Sequence, residues 1–186
     1  MPPPTIRTST WVIRARGYGF ESSAVYLAGM INFGFTDLLL AVLAILLVVA
    51  AVIDIRTFTI SNRLNLAVAL LALVYWWAVR LPLWPDAAVQ LAIAGGVFLL
   101  LALAFSAGMM GGGDVKLAAA LVLWFSPVNT VRFLVIMSIA GGLVTVVFLA
   151  IHRARRKDGR PKIPYGVAIA IGGLVILAQR FLNQFA

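Results

Sequence analysis

The chain of 186 residues contains no cysteine. Disulfides, thiolate metal sites and cysteine nucleophiles are therefore excluded. Histidine is almost absent as well, with His152 the single example. One imidazole cannot assemble a histidine-built zinc, iron or copper centre, so no metal site is expected. A serine–histidine–aspartate triad would have to use a histidine that sits in a run of basic residues, which is a poor setting for a general base. The acids are Glu21, Asp37, Asp54, Asp86, Asp114 and Asp158. Any acid–base chemistry must come from these few carboxylates. Charged residues of both signs make up 11% of the chain, against roughly 25% in a soluble domain. That is too little charge to cover a water-facing surface.

Apolar residues are in excess, at 63%. The pattern predicts an all-α, polytopic membrane protein with about six transmembrane helices. The apolar runs cover residues 38–53 (with a start as early as Phe33), 64–79, 87–107, 115–125, 131–151 and 165–182. Crossing the hydrocarbon takes about 20 residues. The fourth run is short by that measure and needs shelter from its neighbours. Residues 1–30 stand apart. They carry Pro2, Pro3, Pro4, Arg7, Arg14 and Arg16 and lack the apolar stretch of a signal peptide. They read as a disordered or surface-lying tail, with Met30 a second candidate start, and residues 31–186 as one membrane domain.

The formal charge of +9 is unevenly spread. Arg153, Arg155, Arg156, Lys157, Arg160 and Lys162 fall in one short break. No basic helix face or interleaved aromatics accompany them, so nucleic acid is not an expected partner. Arg56 and Arg63 lie in the first break and Lys116 in the third, whereas the even-numbered breaks hold only Arg80 and Arg132. The positive-inside rule puts the odd-numbered breaks in the cytoplasm. The pairs Gly95–Gly96, Gly141–Gly142 and Gly172–Gly173 are expected to serve close helix packing.

Two carboxylates stand out. Asp54 ends the first run and Asp114 follows the third, so both reach the same, cytoplasmic, side. Each is followed two residues later by a base, Arg56 and Lys116. Ionisable groups at membrane depth are costly and usually functional. Two neighbouring carboxylates share a proton, and one can then act as base on water while the other donates to a carbonyl oxygen. The run Gly111-Gly112-Gly113 before Asp114 leaves room for an extended peptide beside that carboxylate. Phosphate-loop spacings are absent from the chain. The rival reading is a proton-coupled transporter or an accessory membrane subunit. Transporters, however, place ionisable groups near the midplane of broken helices, and these aspartates sit at helix ends.

Gly111-x-Gly113-Asp114 resembles the motif of the intramembrane Gly-x-Gly-Asp aspartic peptidases, which include presenilins, archaeal preflagellin peptidases and bacterial type IV prepilin peptidases. Asp54-Ile-Arg56 through Asn62 is similar to the first catalytic segment of the prepilin peptidases. Gly111 through Leu117 is similar to the second, and Ile163-Pro164-Tyr165-Gly166 to the element that opens the last helix. Ser61 stands where many members have proline. The resemblance implies Asp54 and Asp114 as the catalytic pair, with base and acid unassigned between them. It implies Gly111 and Gly113 as the backbone beside Asp114. It implies Asn62, Lys116, Pro164, Tyr165 and Gly166 as substrate-binding or supporting positions. Each of these also has an ordinary reading: Asn62 as a cap of the second helix, Lys116 as a snorkelling lysine, Pro164 as the first turn of the sixth. The implied activity is removal of a short basic leader from prepilins and pseudopilin-like precursors at the cytoplasmic face of the bacterial inner membrane. No metal or organic cofactor is implied. Long members carry a cysteine-bearing insertion and also N-methylate the product. This chain has no cysteine and a short first break, so it resembles the short, Flp-type form, with peptidase but no methyltransferase activity expected.

Overall fold

The computed structural model describes residues 11–154 and 163–182, with side chains from Gly34 onward. Within them every regular element is a helix: α1 Trp11–Thr57, α2 Asn62–Ala78, α3 Ala88–Ser106, α4 Gly112–Val122, α5 Pro127–Ala154 and α6 Tyr165–Leu182. Each of the six apolar runs yields one helix. Four described stretches are long and apolar enough to cross a bilayer: Gly34–Thr57, Leu83–Ser106, Pro127–Ala154 and Tyr165–Leu182. The protein is thus a multi-pass helical membrane protein in which α2 and α4 are shorter. The helical backbone of α1 begins at Trp11, within the segment expected as a tail. Residues 1–10, and Arg155 to Lys162 of the basic break, lie outside the described residues.

The breaks have local causes. Ser61 precedes α2 in an extended conformation and its Oγ accepts the N–H of Leu64 at 3.3 Å, so Ser61, not Asn62, caps this helix. Gly108 has φ +72°, in the left-handed region that glycine enters without strain, and turns the chain out of α3. Proline stands at the first residue of α5 and immediately before α6, where a missing N–H costs nothing.

Helix α4 is the hub, packed against α2, α3 and α6. Asp114, Val115, Leu117, Ala118, Ala120, Leu121 and Val122 are all buried. Eleven residues rise only about 16 Å, which is too short to span, and the surrounding helices give the shelter the short run needs. A helix end inside a bundle leaves backbone carbonyls without water. Here side chains from α2 and α3 satisfy them. Gln90 Nε2 donates to the carbonyls of Val122, at 2.9 Å, and Phe125. Trp76 Nε1 donates to that of Leu123 at 2.8 Å.

In lipid the helices gain little from leaving the solvent, so packing decides which faces meet. A Cβ on Gly173 would lie 2.7 Å from Leu121 and 2.8 Å from Leu47, and one on Gly172 would lie 3.1 Å from Phe133. Gly141 faces Tyr165 and Ala168. These three glycines therefore bring α1, α4, α5 and α6 together as expected. Gly95, Gly96 and Gly142 do not: a Cβ on any of them would meet nothing within 4 Å. The close-packing expectation fails for α3 and for one member of the α5 pair, because those faces of the helices have no neighbour among the described residues.

Candidate active site

Asp54 reaches the interior because of its register on α1. Leu40, Leu43, Leu47, Ala50 and Asp54 alternate at spacings of three and four and are all buried, so the carboxylate is the last member of the core stripe. Asp114 does the same at the start of α4, one face of which carries Asp114, Leu117, Ala118 and Leu121. Asp54 is 2% exposed and Asp114 7%. Few groups in the bundle are as expensive to bury.

Each carboxylate accepts a backbone N–H from the start of a helix. Asp54 Oδ2 accepts that of Gly166, in the first turn of α6, at 2.7 Å. Asp114 Oδ2 accepts that of Gly111, immediately before α4, at 3.2 Å. Helix N-termini present unpaired donors and a positive dipole end, both of which favour an anion. The glycines are required by space. A Cβ on Gly166 would lie 2.8 Å from Asp54 Oδ2 and 2.7 Å from Ile60 Cδ1. A Cβ on Gly111 would lie 2.8 Å from Asp114 Oδ2, and one on Gly113 would lie 2.7 Å from the Ile60 carbonyl oxygen. Ile60, in the loop between α1 and α2, is thus the common neighbour of the Gly113 and Gly166 backbones. Through it the two aspartate segments and the last helix meet.

Asp114 lies outside the four spans, and its pKa is pushed up to about 7. Burial is the larger cause and the charge of Asp54 the second, while the Gly111 N–H opposes them. The two aspartates thus feel each other. Lys116 has another partner, its Nζ donating to Asn62 Oδ1 at 2.9 Å, and this bond ties α4 to α2 beside the site.

The nine positions singled out in the sequence converge on one end of the bundle. Asp54 and Gly166 touch, as do Asp114 and Gly111; Gly113 packs on the loop before α2; Asn62 and Lys116 bridge α2 and α4. Pro164 is fully buried just ahead of Gly166. Tyr165 opens α6 with its ring against the Gly141 backbone, so it sets the packing of α5 on α6. Arg56, Arg63 and Lys116 lie at this end, as does Phe148 in the last part of α5, edge-on to Phe58 at 6.3 Å.

Two participants escaped the sequence reading. Ile60 is one. Asn65 is the other: it is 5% exposed and its Nδ2 donates to the Gly113 carbonyl at 2.9 Å, which fixes the residue before Asp114. The signal was present, since an amide between Leu64 and Leu66 inside an apolar run must find a partner when buried.

The arrangement sets two buried carboxylates, each bonded to a helix-start N–H, at one end of the bundle. Among the described residues no cluster of three or more histidines, cysteines or acids forms a metal site. Neither a curated protein nor a solved structure matches the chain. Residues 41–146 match the type IV leader peptidase family. That stretch holds Asp54, Asn62, Gly111, Gly113, Asp114 and Lys116 and stops short of Pro164. The match takes in more than half of the sequence, from the core stripe of α1 to the middle of α5, and the chain is a member of the type IV leader peptidase family.

Proposed function

We propose that this peptidase is an aspartic endopeptidase that uses Asp54 and Asp114 to remove the basic leader of Flp-like prepilins and pseudopilin-like precursors. It would act at the cytoplasmic face of a bacterial inner membrane and without methyltransferase activity. The observation that carries the reading is the pair of buried carboxylates from two distant segments at one end of the bundle, each held by a backbone N–H at the start of a helix. The clustering of Arg56, Arg63 and Lys116 at the same end supports a cytoplasmic site. The absence of cysteine and the short loop between α1 and α2 support the short, Flp-type form.

The chemistry follows from the geometry. At neutral pH a carboxyl with a pKa of about 7 is protonated about half of the time. Molecules in which Asp114 holds the proton and Asp54 is charged carry one proton between the two groups, and these are the reactive form. A precursor presents its leader junction as an extended segment beside Gly111 and Asp114, at the start of α4. The charged carboxylate takes a proton from water as the water oxygen attacks the scissile carbonyl. The protonated one gives its proton to the carbonyl oxygen, which becomes a hydroxyl of the tetrahedral intermediate. Collapse then returns a proton to the departing amine and frees the mature N-terminus. The N–H groups of Gly166 and Gly111 hold each carboxylate in place through both steps.

The test is incubation of membranes carrying the chain with an Flp-type prepilin, followed by mass measurement of the product. The expected product has lost the leader and has a free, unmethylated N-terminus. A methylated product would contradict the short-form assignment, and an intact precursor would contradict the substrate.

A further inference from the structure

A groove opens between α2 and α3 with α4 as its floor, and its cavity measures about 640 Å³. Its surface is built from small residues: Ala69, Ala94, Gly95, Ala119 and Ala120. Leu66, Leu91 and Phe98 stand on its walls and are exposed, so the groove faces sideways into lipid. Small residues let a second helix approach closely, and in lipid close packing is the main source of helix association. Gly95 is the clearest case, since nothing lies within 4 Å of where its Cβ would be.

One end of the groove is polar. Asn62, Asn65 and Lys116 line it there, and Asn65 holds the carbonyl of Gly113, next to Asp114. The polar end of the groove thus lies next to the aspartate site, with Asn65 between them. Asn65 adds a second observation. Its Nδ2 is engaged, but its Oδ1 is buried and has no partner. A buried acceptor left unpaired in a residue that lines the groove is one that an incoming N–H can satisfy. The groove covers Asn62 to Ala69 of α2, about 10 Å or two helical turns.

We infer that this groove receives an apolar helix that follows the leader in the precursor, seated laterally from the bilayer on Gly95, Ala119 and Ala120. The residues that lead from that helix to the scissile bond supply an N–H to Asn65 Oδ1. The inference rests on the proposed peptidase reading and names the surface that reading lacks. It also accounts for the open face of α3, which the described residues leave unused.

The absence of cysteine makes the test direct. Gly95→Cys and, as a control on another open helix face, Gly142→Cys are made in the Asp114→Asn background. A precursor with one cysteine in its apolar helix is added, and disulfide formation is followed. Wild type is assayed for cleavage alongside. The expected result is cleavage by the wild type, with the precursor joined to Gly95→Cys and not to Gly142→Cys. Kinetics give a second readout: Gly95→Trp should lower kcat/KM about tenfold or more through KM, with Gly142→Trp unchanged. Cleavage by the wild type with joining only at Gly142→Cys, or at neither position, overturns the groove and leaves the peptidase reading standing. Joining of Gly95→Cys to a second copy of the chain, in place of the precursor, also overturns it. A wild type that leaves the precursor whole contradicts the proposed substrate and removes the groove with it.

Discussion

Replacing Gly166 by alanine adds one methyl group at the point where α6 meets Asp54. Its carbon would lie 3.0 Å from Asp54 Cβ and 2.8 Å from Oδ2. Carbon atoms rest about 3.5 Å or more apart, so the two segments must separate by about 0.5 Å. Asp54 cannot simply swing away, because its helix is locked through Leu47, which packs on Gly173 of the same α6. The Gly166 N–H bond to Oδ2, now 2.7 Å, would stretch to the outer limit of useful geometry. Hydrogen bonds to charged groups contribute about 1.5–3 kcal/mol. Loss of roughly half of that in the transition state lowers kcat/KM about 4–12-fold. The assay is leader removal by purified protein in detergent, with circular dichroism and thermal melting to confirm the fold. Gly142→Ala, which meets nothing, should cleave as the wild type does. Wild-type activity in Gly166→Ala would refute the view that this backbone positions the carboxylate.

Other consequences can be measured separately. Gly113→Ala forces a Cβ to 2.7 Å from the backbone oxygen of Ile60, while on Gly112 the nearest atom is a Phe105 ring carbon at 3.4 Å; activity should fall sharply in the first and persist in the second. Gly173→Ala meets Leu121 and Leu47 side chains and should destabilise the bundle by about 1–3 kcal/mol, read as a lower melting temperature in detergent. The pH dependence of stability has a definite sign. The Asp114 carboxyl is raised from 3.8 to about 7, so the folded protein keeps a proton that the unfolded chain releases. That contribution is fully present below about pH 4 and is lost as pH rises to about 7. The melting temperature of the wild type should therefore fall between pH 5 and pH 8 relative to Asp114→Asn, and parallel curves would contradict the assignment.

Much of this site was legible in the sequence because scarcity isolates it. With six acids in the chain, Asp54 and Asp114 could be paired by span direction alone, and the glycine run marked the approach to the second. Pro164, Tyr165 and Gly166 were found by resemblance, but the bond from Gly166 to Asp54 was not legible. It depends on the rotation of α6 against α1. Rotation is hard to read in a membrane helix, since the lipid-facing and core-facing sides are both apolar and leave no periodic contrast. The same cause hid the stripe from Leu40 to Asp54 and led to the wrong packing expectation for Gly95 and Gly96. Gln90 and Asn65 were visible as amides in apolar runs, yet their partners lie on α4 or just beyond it and emerge only once the short helix is placed.

The most direct measurement is cleavage of a prepilin by membranes carrying the wild type, Asp54→Asn or Asp114→Asn, each inserted to the same level. Asparagine keeps the shape of each side chain and removes its ability to give or take the proton. Paired-carboxylate catalysis predicts that the wild type shortens the precursor and that neither variant does. Shortening by either variant at a rate near that of the wild type would contradict it.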